Sequence, residues 1–478
     1  MDFDGEIQMR TFPFEIGSQF IVTLFQFVFS KNVVIFPKNK NPLSKGSATM
    51  VHSDAIAKIR AREVLNFRGN PTVEAEVFLK DGSYGKAAVP AGISTGSSEA
   101  VQVLDGDPNR FNGKGALKAV ENVRKVIAPA LKGMKATRQK EIDEKLIDLD
   151  GTPGKSRLGA NAILGVSLAA AYAAAAHRKI SLFRYMGGKG PFRLPVPVYD
   201  MLAGGSHAQS TVDLQEYLVI PSGVPTFHDS IHAGFKIYQA LREVLQAKGH
   251  RIMQVGGPLT PSLKTNLEGV EVVAQAIEQA GYKLGEEVFI GIDAATSELY
   301  EDGKYILKGE GRTLTSKEMV DLWEEWVSAY PIVSIEDPLA EEDWEGWQMV
   351  TQRIGRKVQL VGDDLFTTNP ARIRKGIELK AANAVLIKPN QIGTLTETLE
   401  AIRLAKKAGY GAMISSRSGE TEDTTICDLA VLDGAGQIKT GPPNLQYIVK
   451  FNRLLRIAEE LGGKGKYAGL RPFKKFGI

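Results

Sequence analysis

Between residues 288 and 440 one pattern recurs: a helix with an apolar stripe, a short apolar strand, and a polar or charged residue where the strand stops. The spacing predicts a strand over Val288 to Ile292 that ends at Asp293, IVSI ending at Glu336, VQLVG from Val358 to Gly362 ending at Asp363, and AVLI ending at Lys388. AMIS then leads to Ser416 and Arg417, and GQI ends at Lys439. The intervening helices carry their own start signals. Thr315 to Glu318 reads as a capping box before the stripe Met319, Leu322, Trp323, Trp326 and Val327; Asn369 precedes Pro370; and Thr394 to Glu397 opens a helix that closes at Gly409. Strand and helix in strict alternation predict parallel strands, and a closed (β/α)8 barrel gathers the carboxyl ends of its strands at one mouth. An ion-pair network is the ordinary explanation for one such residue. A run of them across successive strands points to a shared site.

Upstream, the pattern is different. AKIRAREVL and TVEAEVFLKDG, between Ala55 and Lys80, alternate as two strands with Asp81-Gly82 as a turn. Ile142, Leu146 and Leu149 follow at helical spacing, and Asn161 to His177 is an alanine-rich stretch of high helix propensity. The expected fold is therefore α/β, a (β/α)8-type barrel over 191–478 preceded by a smaller α+β domain over 50–190, with the boundary at the Gly187–Gly190 run and Pro191. Residues 1–49, before Met50, read as an appended leader or a mistaken start. Their apolar run, Phe20 to Phe29, is broken by Gln26, ended by Lys31 and shorter than the roughly 20 residues that span a bilayer. The start, with Asp2, Asp4 and Glu6, lacks the positive charge of a signal peptide.

Charge and cysteine usage narrow the chemistry. With 59 Lys and Arg against 55 Asp and Glu the net charge is only +4, and the basic residues are dispersed, so neither nucleic acid nor a membrane is an expected partner. Cys427 is the single cysteine, which excludes an internal disulfide and a thiolate metal site and fits a cytoplasmic setting. Asp293, Glu336 and Asp363 end successive strands with no His or Cys at equivalent positions. Hard oxygen donors of this kind suit Mg²⁺. Lys388 and Lys439 are expected at the same mouth, where a nearby cation would disfavour their protonated forms and fit a lysine to act as a base. Such a pairing can take a proton from the carbon beside a carboxylate while the metal steadies the resulting charge.

The stretches RGNPTVE, STGSSEA, GKGALKAVENV, LGANAILGVSLA, GGSHA, QEY, IVSIEDP, VGDDL, LIKPNQIGTLTET, SRSGETEDT and GQIKTG occur in this order. Together they resemble the enolase family, from about Ile56 to Leu470. The resemblance implies Mg²⁺-dependent dehydration of 2-phosphoglycerate to phosphoenolpyruvate in glycolysis, a small phosphorylated acid substrate and a homodimer. It implies that Asp293, Glu336 and Asp363 hold one Mg²⁺ and that Ser94 reaches a second. It further implies that Lys388, as the base, and Glu216 are catalytic, that His207, Gln215, Glu216, Glu336, Asp363 and Lys388 line the substrate pocket, and that Arg417, Ser418 and Lys439 bind phosphate and carboxylate.

Four departures stand against that pattern. Where the family has V-G-D-E-G-G, with the glutamate protonating the departing hydroxyl, this chain reads Val255-Gly256-Gly257-Pro258, with the acidic pair deleted. Ser416 replaces a family histidine beside that acid. Pro389 follows the base and is expected to restrict and tilt Lys388. The R-S-E-R segment of the family's dimer contact is replaced by PPNLQY, although Arg62 retains the family arginine that meets it. The sequence thus supports an impaired enolase, with a catalytically inactive binding or scaffold paralogue as the alternative. A barrel enzyme for another acid fits less well, because SRSGETEDT is kept on the phosphate side.

Overall fold

The computed structural model describes residues 53–92, 95–207, 212–252 and 257–478; the leader, Ser94 and the Val255-Gly256 part of the shortened stretch lie outside these residues. Val51–Ile478 forms one compact unit. It opens with an antiparallel sheet of β1 (Ile56–Leu65), β2 (Pro71–Leu79) and β3 (Tyr84–Ala88), the third strand being additional to the two read from the sequence. Val73, Ala75, Val77 and Leu79 of β2 are buried, as period-2 alternation requires of one face. From the other face Glu74 and Glu76 both engage Arg62 within the same chain.

The two longest helices that follow in this smaller domain are α1 (Gln139–Asp150) and α2 (Ala160–His177). By length and composition α2 could cross a membrane, yet it is buried almost throughout as the core helix of this sheet. Its alanines allow backbone to approach backbone. A Cβ added at Gly85 of β3 would lie 2.2 Å from the Ala169 carbonyl oxygen.

The larger part is a closed eight-stranded barrel. Its strands are β4 (Val196–Ala203), β5 (Glu216–Ile220), β6 (Phe289–Asp293), β7 (Ile332–Glu336), β8 (Gln359–Gly362), β9 (Ala384–Ile387), β10 (Gly411–Ser415) and β11 (Gln437–Thr440). Capped helices α5 (Ser316–Ala329), α6 (Trp344–Ile354), α7 (Pro370–Leu379) and α8 (Leu395–Lys407) link the later strands, after the pair α3 (Phe227–Ala247) and α4 (Asn266–Gln279). The expected capping box at Thr315 and Glu318 is present in both directions. Inside the barrel, Val198, Ile220, Val333 and Leu386 pack with Phe473 and Phe476, so the end of the chain contributes to the barrel's own core.

The expectation of uniformly parallel strands needs one correction. β5 is antiparallel to both β4 and β6. The physical reason lies in the connection: the described residues between β4 and β5 hold only a 3-10 turn, Gly205–His207, and no α-helix of the kind that usually carries a parallel crossover. The pair α3 and α4 then returns the chain to start β6. This reversal sets where Glu216 lies. As the first residue of a reversed strand it is in register with Ala203 and Asp293, the last residues of the strands on either side.

Candidate active site

At the mouth of the barrel a cleft of about 730 Å³, its open entrance included, is lined by residues from many strands. Lys439, at the end of β11, reaches across the mouth. Its Nζ lies 2.7 Å from Asp293 Oδ2, 2.7 Å from Glu336 Oε2 and 2.9 Å from Glu216 Oε2. Burial works against the ammonium, but these carboxylates, Asp293 foremost, outweigh it and hold Lys439 well above the ordinary lysine range. Gln215 is buried beside them and donates from Nε2 to Asp293 Oδ2 at 3.3 Å.

Lys388 forms the second centre, its Nζ 2.5 Å from Asp363 Oδ2. Burial favours the neutral amine here too, but Asp363 overrides it and raises Lys388. Among the protein's own groups the balance therefore runs opposite to the lowering expected beside a cation. With Pro389 after it, Lys388 still lines the cleft. Lys388 is extended (φ −126°, ψ 104°), the conformation favoured before proline, and Pro389 opens a short helical turn, where the missing N–H has no intrahelical partner to lose. The Lys388 backbone N–H donates to Thr368 Oγ1 at 2.9 Å and anchors the residue from the other side.

Several groups that hold the site together lie outside the residues singled out from the sequence. Asp337, one residue beyond β7, accepts from the backbone N–H groups of Asp363 and Asp364 at 2.9 and 2.8 Å and so aims their side chains. Gln391 donates to Asp363 Oδ1 at 2.8 Å and to Glu99 Oε1 at 3.2 Å. Glu99 comes from the STGSSEA stretch and its Oε2 meets Arg417 Nη1 at 3.0 Å, tying that loop to the barrel mouth. Arg417 is packed so closely against the chain at Gly92 that a Cβ there would lie 1.8 Å from Nη2. Asp200 on β4 is buried and lines the cleft with Glu216. The sequence signals were available for Glu99 and Asp337, both inside quoted stretches; Asp200 stands alone in a strand and had none.

Arg417 is positioned through a second buried layer. Glu420 Oε1 accepts from the Arg417 backbone N–H at 2.8 Å, and Glu420 Oε2 pairs at 2.7 Å with Lys450, whose side chain is 0% exposed. Lys450 also donates to the carbonyls of Thr421 and Asp423. Lys450→Ala would leave the Glu420 carboxylate buried without its cation, and the expected cost is about 3–5 kcal/mol. The denaturant midpoint measures it, and an unchanged midpoint would remove Lys450 from this account.

The cleft therefore gathers Gln215, Glu216, Asp293, Lys388, Arg417, Ser418 and Lys439 along one lining, with Glu336 and Asp363 bonded to its two lysines. Ser94 lies outside the described residues. His207 ends a short turn, Gly205–His207, and the placement of its side chain lies outside the description as well. Ser416 and Pro258 also line the cleft, and neither brings an ionisable group.

A divalent cation fits this donor set. Burial first, and then the charge of Asp293, push the Glu336 carboxyl well above its ordinary range. Glu336 Oε1 is buried and has no hydrogen-bond partner among the described residues. Asp337, Asp363 and Asp364 also bring carboxylate oxygens within 4.8 Å of one another.

Comparison with known proteins agrees along the length of this unit. A family model described as "Enolase, N-terminal domain" matches residues 56–186, and one described as "Enolase, C-terminal TIM barrel domain" matches residues 191–476.

Proposed function

The chain belongs to the enolase family of lyases, and from that premise we propose that it converts 2-phosphoglycerate to phosphoenolpyruvate with Mg²⁺. The observation that carries the reading is the pair of lysines at one barrel mouth, each held by carboxylates: Lys388 on Asp363, and Lys439 on Asp293, Glu336 and Glu216. Asp293, Glu336 and Asp363 would hold the ion, with Ser94 as the ligand of a second. Bound there, Mg²⁺ would supply positive charge to the substrate carboxylate as its neighbouring carbon loses a proton.

The remaining work falls to the chain's own groups. Lys388 takes the C2 proton, for which it must be neutral. Asp363, which keeps it protonated, must therefore give up that ion pair, and its role as a metal ligand supplies the reason. Arg417 and Ser418 bind the phosphate side, Lys439 the carboxylate, and His207, Gln215 and Glu216 hold the substrate's remaining polar atoms. A geometry of this kind lowers the barrier mostly by orientation and by charge placed in advance.

The competing reading, a paralogue that binds without turnover, is motivated by Pro258 and Ser416, which line the cleft without a titratable side chain. One assay separates the two. Purified full-length protein should form phosphoenolpyruvate from 2-phosphoglycerate in the presence of Mg²⁺ and lose that activity on chelation. Folded protein that binds Mg²⁺ and yields no product would favour the binding paralogue.

A further inference from the structure

Dehydration has two proton transfers, and the groups described so far perform only the first. Lys388 accepts the proton from C2, whereas the hydroxyl that leaves C3 needs a proton to depart as water. Of the ionisable groups lining the cleft, Arg68 shares the fixed charge of any guanidinium and Asp293 is assigned to the metal, and the others can be considered in turn. Arg417 is pinned by Glu99 and does not deprotonate in proteins. Lys439 is locked by three carboxylates and is a reluctant donor. Burial pushes the Tyr447 phenol up, away from use as an acid. Glu216 is committed to the Lys439 ammonium at 2.9 Å.

Asp200 remains. It sits on β4 within the cleft lining, buried, and its side chain hydrogen-bonds that of Glu216. A hydrogen bond between two carboxyl groups requires one of them to hold a proton. Glu216 has the Lys439 ammonium at 2.9 Å, which leaves Asp200 as the member of the pair placed to hold that proton. Asp200 Oδ1 has no hydrogen-bond partner among the described residues. Burial first, and next the charge of Glu216, push its carboxyl well above the ordinary aspartate range, in keeping with a neutral acid.

The neighbouring chain fixes this wall of the cleft. The shortened stretch is bonded to β4 on either side of Leu202, with the Leu259 N–H donating to the Met201 carbonyl at 2.9 Å and the Ala203 N–H donating to the Leu259 carbonyl at 2.8 Å. Pro258 therefore lines the cleft beside Asp200.

We propose that Asp200, held beside Glu216, is the proton donor to the departing hydroxyl. The inference rests on the dehydration reading above. The C2–H bond breaks with its proton going to Lys388, and the electron pair left on carbon forms the C2–C3 double bond as the C3–O bond breaks. The oxygen leaves with its bonding pair and takes the Asp200 proton to become water, and Asp200 is left as a carboxylate until solvent reprotonates it.

The test is Asp200→Asn, which keeps size and shape, compared with the unmodified chain in two assays. One is phosphoenolpyruvate formation; the other is exchange of the C2 hydrogen of 2-phosphoglycerate with deuterated water. The expected result is a fall in product formation of about 10²-fold or more, with exchange retained, which also shows that the variant is folded. Equal loss of both would assign Asp200 a structural role and overturn the inference, and so would product formation left unchanged. If the unmodified chain neither exchanges nor dehydrates, the dehydration reading fails and the inference with it.

Discussion

Lys388→Ala is expected to abolish exchange of the C2 hydrogen and, with it, phosphoenolpyruvate formation, lowering both by about 10²- to 10⁴-fold. The effect on exchange is the informative part. Lys388 lies within the pair with Asp363, ends β9 and is anchored through its backbone by Thr368, so its removal takes away the base without disturbing the strand. Alanine also leaves Asp363 with Gln391 as a remaining partner, so Mg²⁺ binding should persist. Calorimetric titration with Mg²⁺ checks that point, and loss of metal affinity together with activity would mean that Lys388 shapes the site rather than acting in it.

Lys439→Met should have its largest effect on stability. Methionine fills much of the same volume but leaves Glu216, Asp293 and Glu336 facing one another in a buried space without the ammonium that now lies within 2.9 Å of all three. Breaking a buried pair from one side costs about 3–5 kcal/mol, and here three carboxylates lose one cation. Melting of chelated protein should therefore drop markedly. Added Mg²⁺ should recover more of that loss than it adds to the unmodified chain, because a divalent ion answers the same excess charge and no longer competes with a lysine. A variant that melts like the parent would show that the carboxylates take up protons instead, and the ion-pair description would need revision.

These expectations rest on features of unequal visibility in the sequence. The strand-end residues were legible because a barrel converts position along the chain into position around a ring: Asp293, Glu336, Asp363, Lys388, Arg417 and Lys439 each close an apolar run and so meet at one mouth. The direction of β5 was not legible, since EYLVI carries no mark of parallel or antiparallel pairing and only the short connection from Ala203 to Glu216 decides it. Yet that reversal is what brings Glu216 level with Asp293. Supporting groups were hidden for a related reason. Asp337 and Gln391 act through hydrogen bonds to residues on other elements, and Glu99 crosses from the smaller domain to reach Arg417, so spacing alone does not reveal them.

Pro389 shows the opposite case, a rule correctly applied to a local position that the fold makes harmless. Proline restricts its predecessor toward extended backbone, and extended backbone is what Lys388 needs at the end of a strand. The missing N–H costs nothing at the start of a helical turn. Arg62, too, has a role within the chain: its guanidinium pairs with Glu74 and Glu76.

The central claim is that this cleft removes the proton beside a carboxylate using Lys388 and Mg²⁺. The most direct measurement is nuclear magnetic resonance of 2-phosphoglycerate incubated with the full-length protein in deuterated water. The account predicts that the C2 hydrogen signal is lost in the presence of Mg²⁺, and that either chelation or Lys388→Ala preserves it. A signal that persists in the presence of folded, Mg²⁺-bound protein would contradict the account.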